Sequence, residues 1–190
     1  MELTDIVLDA DRGMAWGGGQ GGVVAFDVSD PTNVSRLGYA PDPSENYPYG
    51  RYYHLLPYGE LVYGTNRDFD LRVFDAADPT SIGTVLSIEQ AGLSGMAIDG
   101  ETLYIVSHTG TLYVYSLTDP RSPTEIAAVE GLGNAWKIEV DGEYAYIADS
   151  TEGLVTAHLT SPPTITGSLD IGGAQDLSLI HISEPTRQIR

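Results

Sequence analysis

Two basic side chains, His54 and Lys137, occupy equivalent positions in two similar stretches of this sequence. Each lies five residues before a glycine, Gly59 or Gly142, that follows a short apolar run, and Gly95 has the same position in a third stretch. A histidine and a lysine that face one cavity can bind an anion or take part in acid–base chemistry. The alternative is that they serve only hydrogen bonding between strands and solvation.

Oxygen-bearing side chains alternate along the segment TNRDFDL, where they are Asn66, Asp68 and Asp70. Hard cations such as calcium bind several oxygens of this kind. The run lacks the full spacing and the glycine of a calcium-binding loop, so the polar tip of a hairpin is the alternative interpretation. We therefore expect no cofactor, with calcium as the one candidate.

A connection from 41 to 53, PDPSENYPYGRYY, is rich in proline and tyrosine. Loops that join strands at the rim of a fold often carry its binding residues. Aromatic and basic side chains there suit sugars, peptides or cationic groups. The candidate binding residues are Tyr47, Tyr49, Arg51 and Tyr53, and packing of the tyrosines over a sheet edge is the alternative.

A repeated unit underlies these spacings. Asp-Pro pairs begin at Asp30, Asp78 and Asp119 and a Ser-Pro pair begins at Ser161, so that successive units are 48, 41 and 42 residues apart. A period near 42 is typical of the four-stranded blade of a β-propeller. The sequence predicts an all-β, partial propeller of about four blades, each of four antiparallel strands, with the start of a fifth. The predicted blades cover about 3–39, 51–88, 93–129 and 135–171, and the strands of the last are 135–140, 143–149, 153–159 and 164–171.

Equivalent positions in the units carry similar residues. An aromatic column predicts packing between blades; it consists of Trp16, Tyr63, Tyr104 and Tyr146. A short polar column at the ends of the second strands predicts hydrogen bonds to turn backbone; it consists of Asn66, Ser107 and Asp149. The first unit has GGGQGG at this point, which predicts a flexible hairpin turn, since a strand rather than a phosphate-binding helix follows it.

The chain is strongly acidic, with 27 Asp and Glu against 9 Lys and Arg and a net charge of −18. Phosphate groups need cationic partners, so we expect no nucleic-acid or anionic-lipid partner. There is no cysteine, which excludes disulfides and thiolate sites. No apolar run has the length of a membrane span, so we expect no membrane insertion by this segment.

The stretches DGEYAYIADSTEGL and DVSDPTNVSRLGYA resemble the repeat of the LVIVD-repeat β-propellers, over about residues 3–176; YVTN-type propellers have similar repeats. The resemblance implies an exported or cell-surface protein without assigned activity. It implies no catalytic residues, and the sequence shows no Ser-His-Asp spacing, nucleophile elbow or zinc motif. We expect a non-enzymatic module that binds a protein or glycan through its rim loops. The alternative is a propeller hydrolase or lactonase with a channel-centred site, with His54 and Lys137 or calcium at its centre.

The end of the chain has a different resemblance. LSLIHISEPTR, residues 177–187, resembles the translation of a sequencing adapter. We therefore expect residues 177–190 to be non-native and the remaining blades of a longer protein to be partners of residues 1–176. An incomplete propeller exposes blade faces, which predicts an oligomeric or poorly soluble chain.

Overall fold

Sixteen β-strands form four antiparallel sheets in a computed structural model, which describes residues 2–42, 51–66 and 70–171. Sheet 1 contains β1 (Leu3–Asp9), β2 (Met14–Gly19), β3 (Gly22–Asp27) and β4 (Ser35–Pro41). Sheet 2 contains β5 (Tyr52–Tyr58), β6 (Leu61–Asn66), β7 (Asp70–Asp75) and β8 (Gly83–Glu89). Sheet 3 contains β9 (Leu93–Asp99), β10 (Thr102–Ser107), β11 (Thr111–Ser116) and β12 (Thr124–Glu130). Sheet 4 contains β13 (Ala135–Asp141), β14 (Tyr144–Asp149), β15 (Gly153–His158) and β16 (Thr164–Leu169).

Each sheet is a simple meander, because its four strands pair in chain order. The predicted all-β fold of four four-stranded blades is confirmed. In sheet 4 the predicted and observed strand ends differ by at most two residues. The one helix within the described ranges is a three-residue 3-10 turn, Ala10–Arg12. None of the described helical structure is long and apolar enough to cross a membrane.

Two recurring kinds of turn connect the strands within the sheets. The first two strands of sheets 2, 3 and 4 are joined through Gly59, Gly100 and Gly142, which have φ values of 60°, 56° and 58°. Glycine adopts this left-handed conformation without steric cost. After the third strand, the carboxylates of Asp30, Asp78 and Asp119 each accept a hydrogen bond from the backbone N–H two residues further on, and we call these turns the Asp-Pro corners.

The sheets stack face against face in chain order. We call the face of a sheet that points to the next sheet its leading face, and the opposite face its trailing face. Three apolar clusters fill the three junctions between consecutive sheets. Trp16, Tyr63 and Tyr104 lie on the leading faces of sheets 1, 2 and 3 and are buried in these clusters, as predicted for the aromatic column. Tyr146 lies on the leading face of sheet 4 and is only partly buried.

The glycine-rich segment of the first unit is strand rather than a flexible turn, which corrects the sequence interpretation. Gly17 to Gly19 belong to β2, and only Gln20 and Gly21 separate β2 from β3. A Cβ atom on Gly18 would lie 3.0 Å from the Cβ of Tyr52, and one on Gly17 would lie 3.0 Å from the ring of Phe26. The glycines therefore make room for large side chains on both faces of sheet 1.

Candidate functional site

The first strands of the four sheets line one cavity of about 370 Å³. These strands are β1, β5, β9 and β13, and each is in contact with the first strand of the next sheet. The cavity corresponds to the central channel of a propeller, where side chains from different blades meet. Its wall includes acidic and basic side chains from three sheets, and we take it as the candidate site.

Four residues, one from each sheet, occupy equivalent register positions in the first strands, and we call this set the channel ring. Asp5 pairs with Gly18, His54 with Thr65 and Lys137 with Ala148, each at the equivalent position of its second strand. Gly95 completes the ring. A Cβ atom there would lie 2.7 Å from both Lys137 Cα and Trp136 O, so glycine is required for β9 to approach β13 this closely.

The ring combines an acid, a neutral base and a cation. Asp5 Oδ2 accepts a hydrogen bond of 2.7 Å from the Leu55 N–H, which holds this carboxylate beside His54. Burial lowers the pKa of His54; the Asp5 carboxylate opposes this effect and Lys137 reinforces it. His54 Nδ1 is buried and has no hydrogen-bond partner within the described part of the chain. Glu139 adds a second carboxylate to the channel wall.

Repeat alignment brought together His54 and Lys137, and the structure places both on the wall of this one channel. The alignment of the repeats did not place Asp5 in this column. The 3-10 turn Ala10–Arg12 lengthens the first turn of sheet 1, so counting five residues back from Gly13 leads to Leu8 instead. Counting from the aromatic column would have found it, since Asp5 pairs with the residue two positions after Trp16.

Aromatic side chains stand one residue before the ring in two sheets. The register of β5 and β13 is shifted at Tyr53 and Trp136, and both side chains are partly buried. Arg51 lies at the start of β5 with its side chain 33% exposed, and its guanidinium is 3.3 Å from Glu2 Oε2. The other two predicted rim residues, Tyr47 and Tyr49, lie outside the described residues.

Asn66 and Asp70, which were predicted to bind a metal, lie away from the channel at the junction of sheets 1 and 2. Arg72 lies between two buried carboxylates there, with Nε 2.7 Å from Asp70 Oδ2 and NH1 2.9 Å from Asp42 Oδ1. Arg72 NH1 also donates to Tyr52 OH, and Asn66 Nδ2 donates to Asp42. The guanidinium thus occupies the position of a cation between these oxygens. Asp68 lies outside the described residues, and those described contain no group of three acidic or histidine residues suited to a metal.

Comparison with known proteins agrees with this architecture. The family model described as LVIVD repeat matches residues 132–156, which include β13 and β14. Residues 132–156 are thus similar to the LVIVD repeat. The family resemblance of the sequence is thereby confirmed, and the matched segment carries Lys137 and Glu139 of the channel.

Solved structures with low sequence identity show the same fold. The computationally designed Ika4 protein has a TM-score of 0.64 at 10% identity, over 83% of this chain and 91% of that one. BamB from Moraxella catarrhalis has a TM-score of 0.59 at 15% identity over 79% of this chain. The WD40 repeats of RRP9 have a TM-score of 0.68 at 14% identity over 90% of this chain. The chain spans 40% of that BamB chain and 53% of the RRP9 chain. No curated protein matched the sequence.

Proposed function

We propose that this β-propeller module is a non-enzymatic binding protein that takes a glycan or a segment of protein at the rim end of its central channel. The observation that carries the proposal is the ring of Asp5, His54 and Lys137, which three different sheets bring to one channel of about 370 Å³. A site of this size with a few convergent polar groups is typical of small ligands and of single side chains or sugar units.

Two further features support a ligand of this type. Tyr53 and Trp136 stand beside the ring on β5 and β13, and aromatic rings stack on the apolar faces of sugars and peptides. Carboxylates and a lysine provide acceptors and donors for hydroxyl or amide groups. The exported or cell-surface location that the family resemblance implies is part of the same proposal, and fractionation of source cells with an antibody tests it.

Labelled full-length protein applied to a glycan array and to an array of short peptides tests the binding proposal. A bound probe is then titrated against the wild type, Lys137→Ala and His54→Ala. We expect either substitution to weaken binding by tenfold or more, because each removes a polar group from the channel. Ile126→Lys, on the outer strand of sheet 3, is the control and should bind as the wild type does. Binding that is indifferent to both channel substitutions would reject the proposal.

A hydrolase or lactonase is the second candidate, and one observation favours it. His54 has a lowered pKa and is neutral near pH 7, so it can accept a proton, and the Asp5 carboxylate lies on the same wall. Turnover of aryl ester and lactone substrates, measured with calcium and with chelator, separates the two functions. If the protein is a binding module, turnover by the wild type should not exceed the turnover in buffer alone or with His54→Ala. Turnover that is lost in His54→Ala would establish the enzyme instead.

Calcium remains a separate proposal that rests on the run from Asn66 to Asp70. Thermal unfolding in calcium, in magnesium and in chelator measures it. The ion pair of Arg72 with Asp42 and Asp70 already supplies positive charge to the described oxygens, so we expect a small shift. A rise of the melting temperature in calcium alone, abolished in Asp70→Asn, would show a calcium site.

A further inference from the structure

The trailing face of sheet 1 is apolar and open. Ile6 and Leu8 of β1 are 61% and 66% exposed, and Leu3 and Tyr39 are also exposed. Beside them is a cavity of about 350 Å³, lined by Leu3, Val24, Phe26, Arg36 and Tyr39. An apolar surface of this kind on a sheet face indicates an interaction site.

The other three sheets show what normally covers this face. Ile6 has its equivalents in Leu55, Met96 and Ile138, which directly follow the channel ring in their sheets. These three are 1%, 2% and 1% exposed, because the leading face of the preceding sheet packs on each of them. The face of sheet 1 thus has the residue pattern of an internal junction without the sheet that would complete it.

Among the residues that the structure describes, one leading face has no sheet packed on it, that of sheet 4. Its residues include Tyr146, which is partly buried, and Tyr144, which is 45% exposed. Tyr146 is equivalent to Tyr63, whose hydroxyl donates a hydrogen bond of 2.6 Å to Pro120 O in the Asp-Pro corner of the next sheet. The corresponding corner of sheet 1 contains Pro31.

We propose that these two faces are the halves of one interface, and that in the 190-residue chain a second copy supplies the missing half, in place of the further blades that the sequence predicts for a longer protein. The leading face of sheet 4 of one copy packs on the trailing face of sheet 1 of the other, and Tyr146 donates to the Pro31 carbonyl. Because the two halves differ, the contact is head-to-tail, and it closes when two copies each contribute both faces. Continuity with the three internal junctions supports a propeller sheet of this sequence as the occupant.

Sedimentation of the full chain over a range of micromolar concentrations tests the proposal. We expect a concentration-dependent species of twice the monomer mass of 20.4 kDa. Leu154 pairs with Ala148, two residues after Tyr146, and therefore lies on the leading face of sheet 4. Ile6→Lys/Leu8→Lys blocks the face of sheet 1, and Tyr146→Lys/Leu154→Lys blocks the face of sheet 4; each variant should be monomeric by itself. Ile126→Lys removes an equally exposed apolar side chain, 62% exposed, from outside both faces and should associate as the wild type does.

Mixing the two blocked variants gives the decisive result. Each keeps one intact half, so the mixture should form a heterodimer through a single interface, whereas misfolded variants would recover nothing. Tyr146→Phe keeps the ring and loses the hydroxyl, and should weaken association about fivefold. A wild type that stays monomeric at all concentrations overturns the proposal. So does association that only one of the two blocked variants abolishes, since that indicates contact between identical faces.

Discussion

At the scale of single residues, side chains at equivalent positions of the sheets share a backbone position but have different hydrogen-bond partners. Asn66, Ser107 and Asp149 end the second strands of their sheets and are all fully buried. Ser107 Oγ accepts the Thr111 N–H, whereas Asn66 contacts Asp42 across a sheet junction. The short polar side chain was predictable from the column. The long-range partner was not, because Asp42 lies in the irregular connection 41–53 and has no equivalent in the repeat columns.

Asp149 has the strongest local role of this column. Its carboxylate accepts backbone N–H groups from Gly133, Asn134, Thr151 and Glu152, at 2.7 to 3.1 Å. Burial raises the pKa of Asp149, but the four hydrogen bonds together outweigh burial and lower it. Asp149→Ala should lower the free energy of unfolding by about 2–4 kcal/mol near pH 7, because the amides lose their acceptor.

Urea denaturation at several pH values checks this prediction. The stabilisation is complete above the ordinary aspartate pKa and disappears as the pH falls through the lowered pKa of the folded state. The difference between wild type and Asp149→Ala should therefore shrink below about pH 4. Asp141→Ala, at an exposed aspartate of the same sheet, should change stability by less than about 0.5 kcal/mol at any pH. Equal effects of the two substitutions would contradict the assignment.

Arg72 carries a second prediction at this scale. Its guanidinium pairs with Asp42 and Asp70, and the three side chains are 4–6% exposed. Arg72→Met should cost about 3–5 kcal/mol, since it leaves two carboxylates buried without their cation. Adding Asp42→Asn and Asp70→Asn to Arg72→Met should recover a large part of the lost free energy of unfolding, because these three positions then bury no charge. Urea denaturation measures both variants, and an Arg72→Met protein of wild-type stability would refute the role of the pair.

At the scale of elements, the repeat explains how much of the fold was predictable. Glycine turns recur between the strands, and Asp-Pro corners recur in three of the four units with Ser-Pro in the fourth. The sequence therefore predicted the sheets, and the strand ends of sheet 4 to within two residues. It failed where one unit departs from the period. The extra 3-10 turn displaced Asp5 from the repeat column. Glycine clusters are typical of turns, so Gly17–Gly19 was predicted as a turn. In the structure these glycines make room for Tyr52 and Phe26, which the sequence does not reveal.

Gly95 tests how closely two channel strands must approach. A Cβ atom at this position meets the backbone of β13 at 2.7 Å, and a backbone neighbour cannot rotate away as a flexible side chain does. Gly95→Ala should therefore separate β9 from β13 and lower the free energy of unfolding by about 1–3 kcal/mol. Gly83→Ala is the matched control, because Gly83 is also a strand glycine, with no atom within 4 Å of its Cβ position. Similar losses in the two variants would exclude the steric explanation.

At the scale of the whole molecule, apolar clusters at the junctions join each sheet to the sheets beside it. Within residues 2–42, 51–66 and 70–171, sheets 2 and 3 are covered on both faces, while sheets 1 and 4 are covered on one. In stacked repeats stability is approximately the sum of the stability of each unit and of its junctions. Local opening should therefore begin at the two outer sheets.

Hydrogen exchange on the Ile6→Lys/Leu8→Lys variant measures this gradient without self-association. Amides of β6 and β10 have a covered sheet on each side and should exchange more slowly than those of β2 and β14. In the wild type at high concentration, the proposed head-to-tail contact covers sheets 1 and 4 as well, so β2 and β14 should gain protection while β6 and β10 change little. Equal protection of all four sheets in the variant would show that the fold opens as one unit and that the junctions do not act separately.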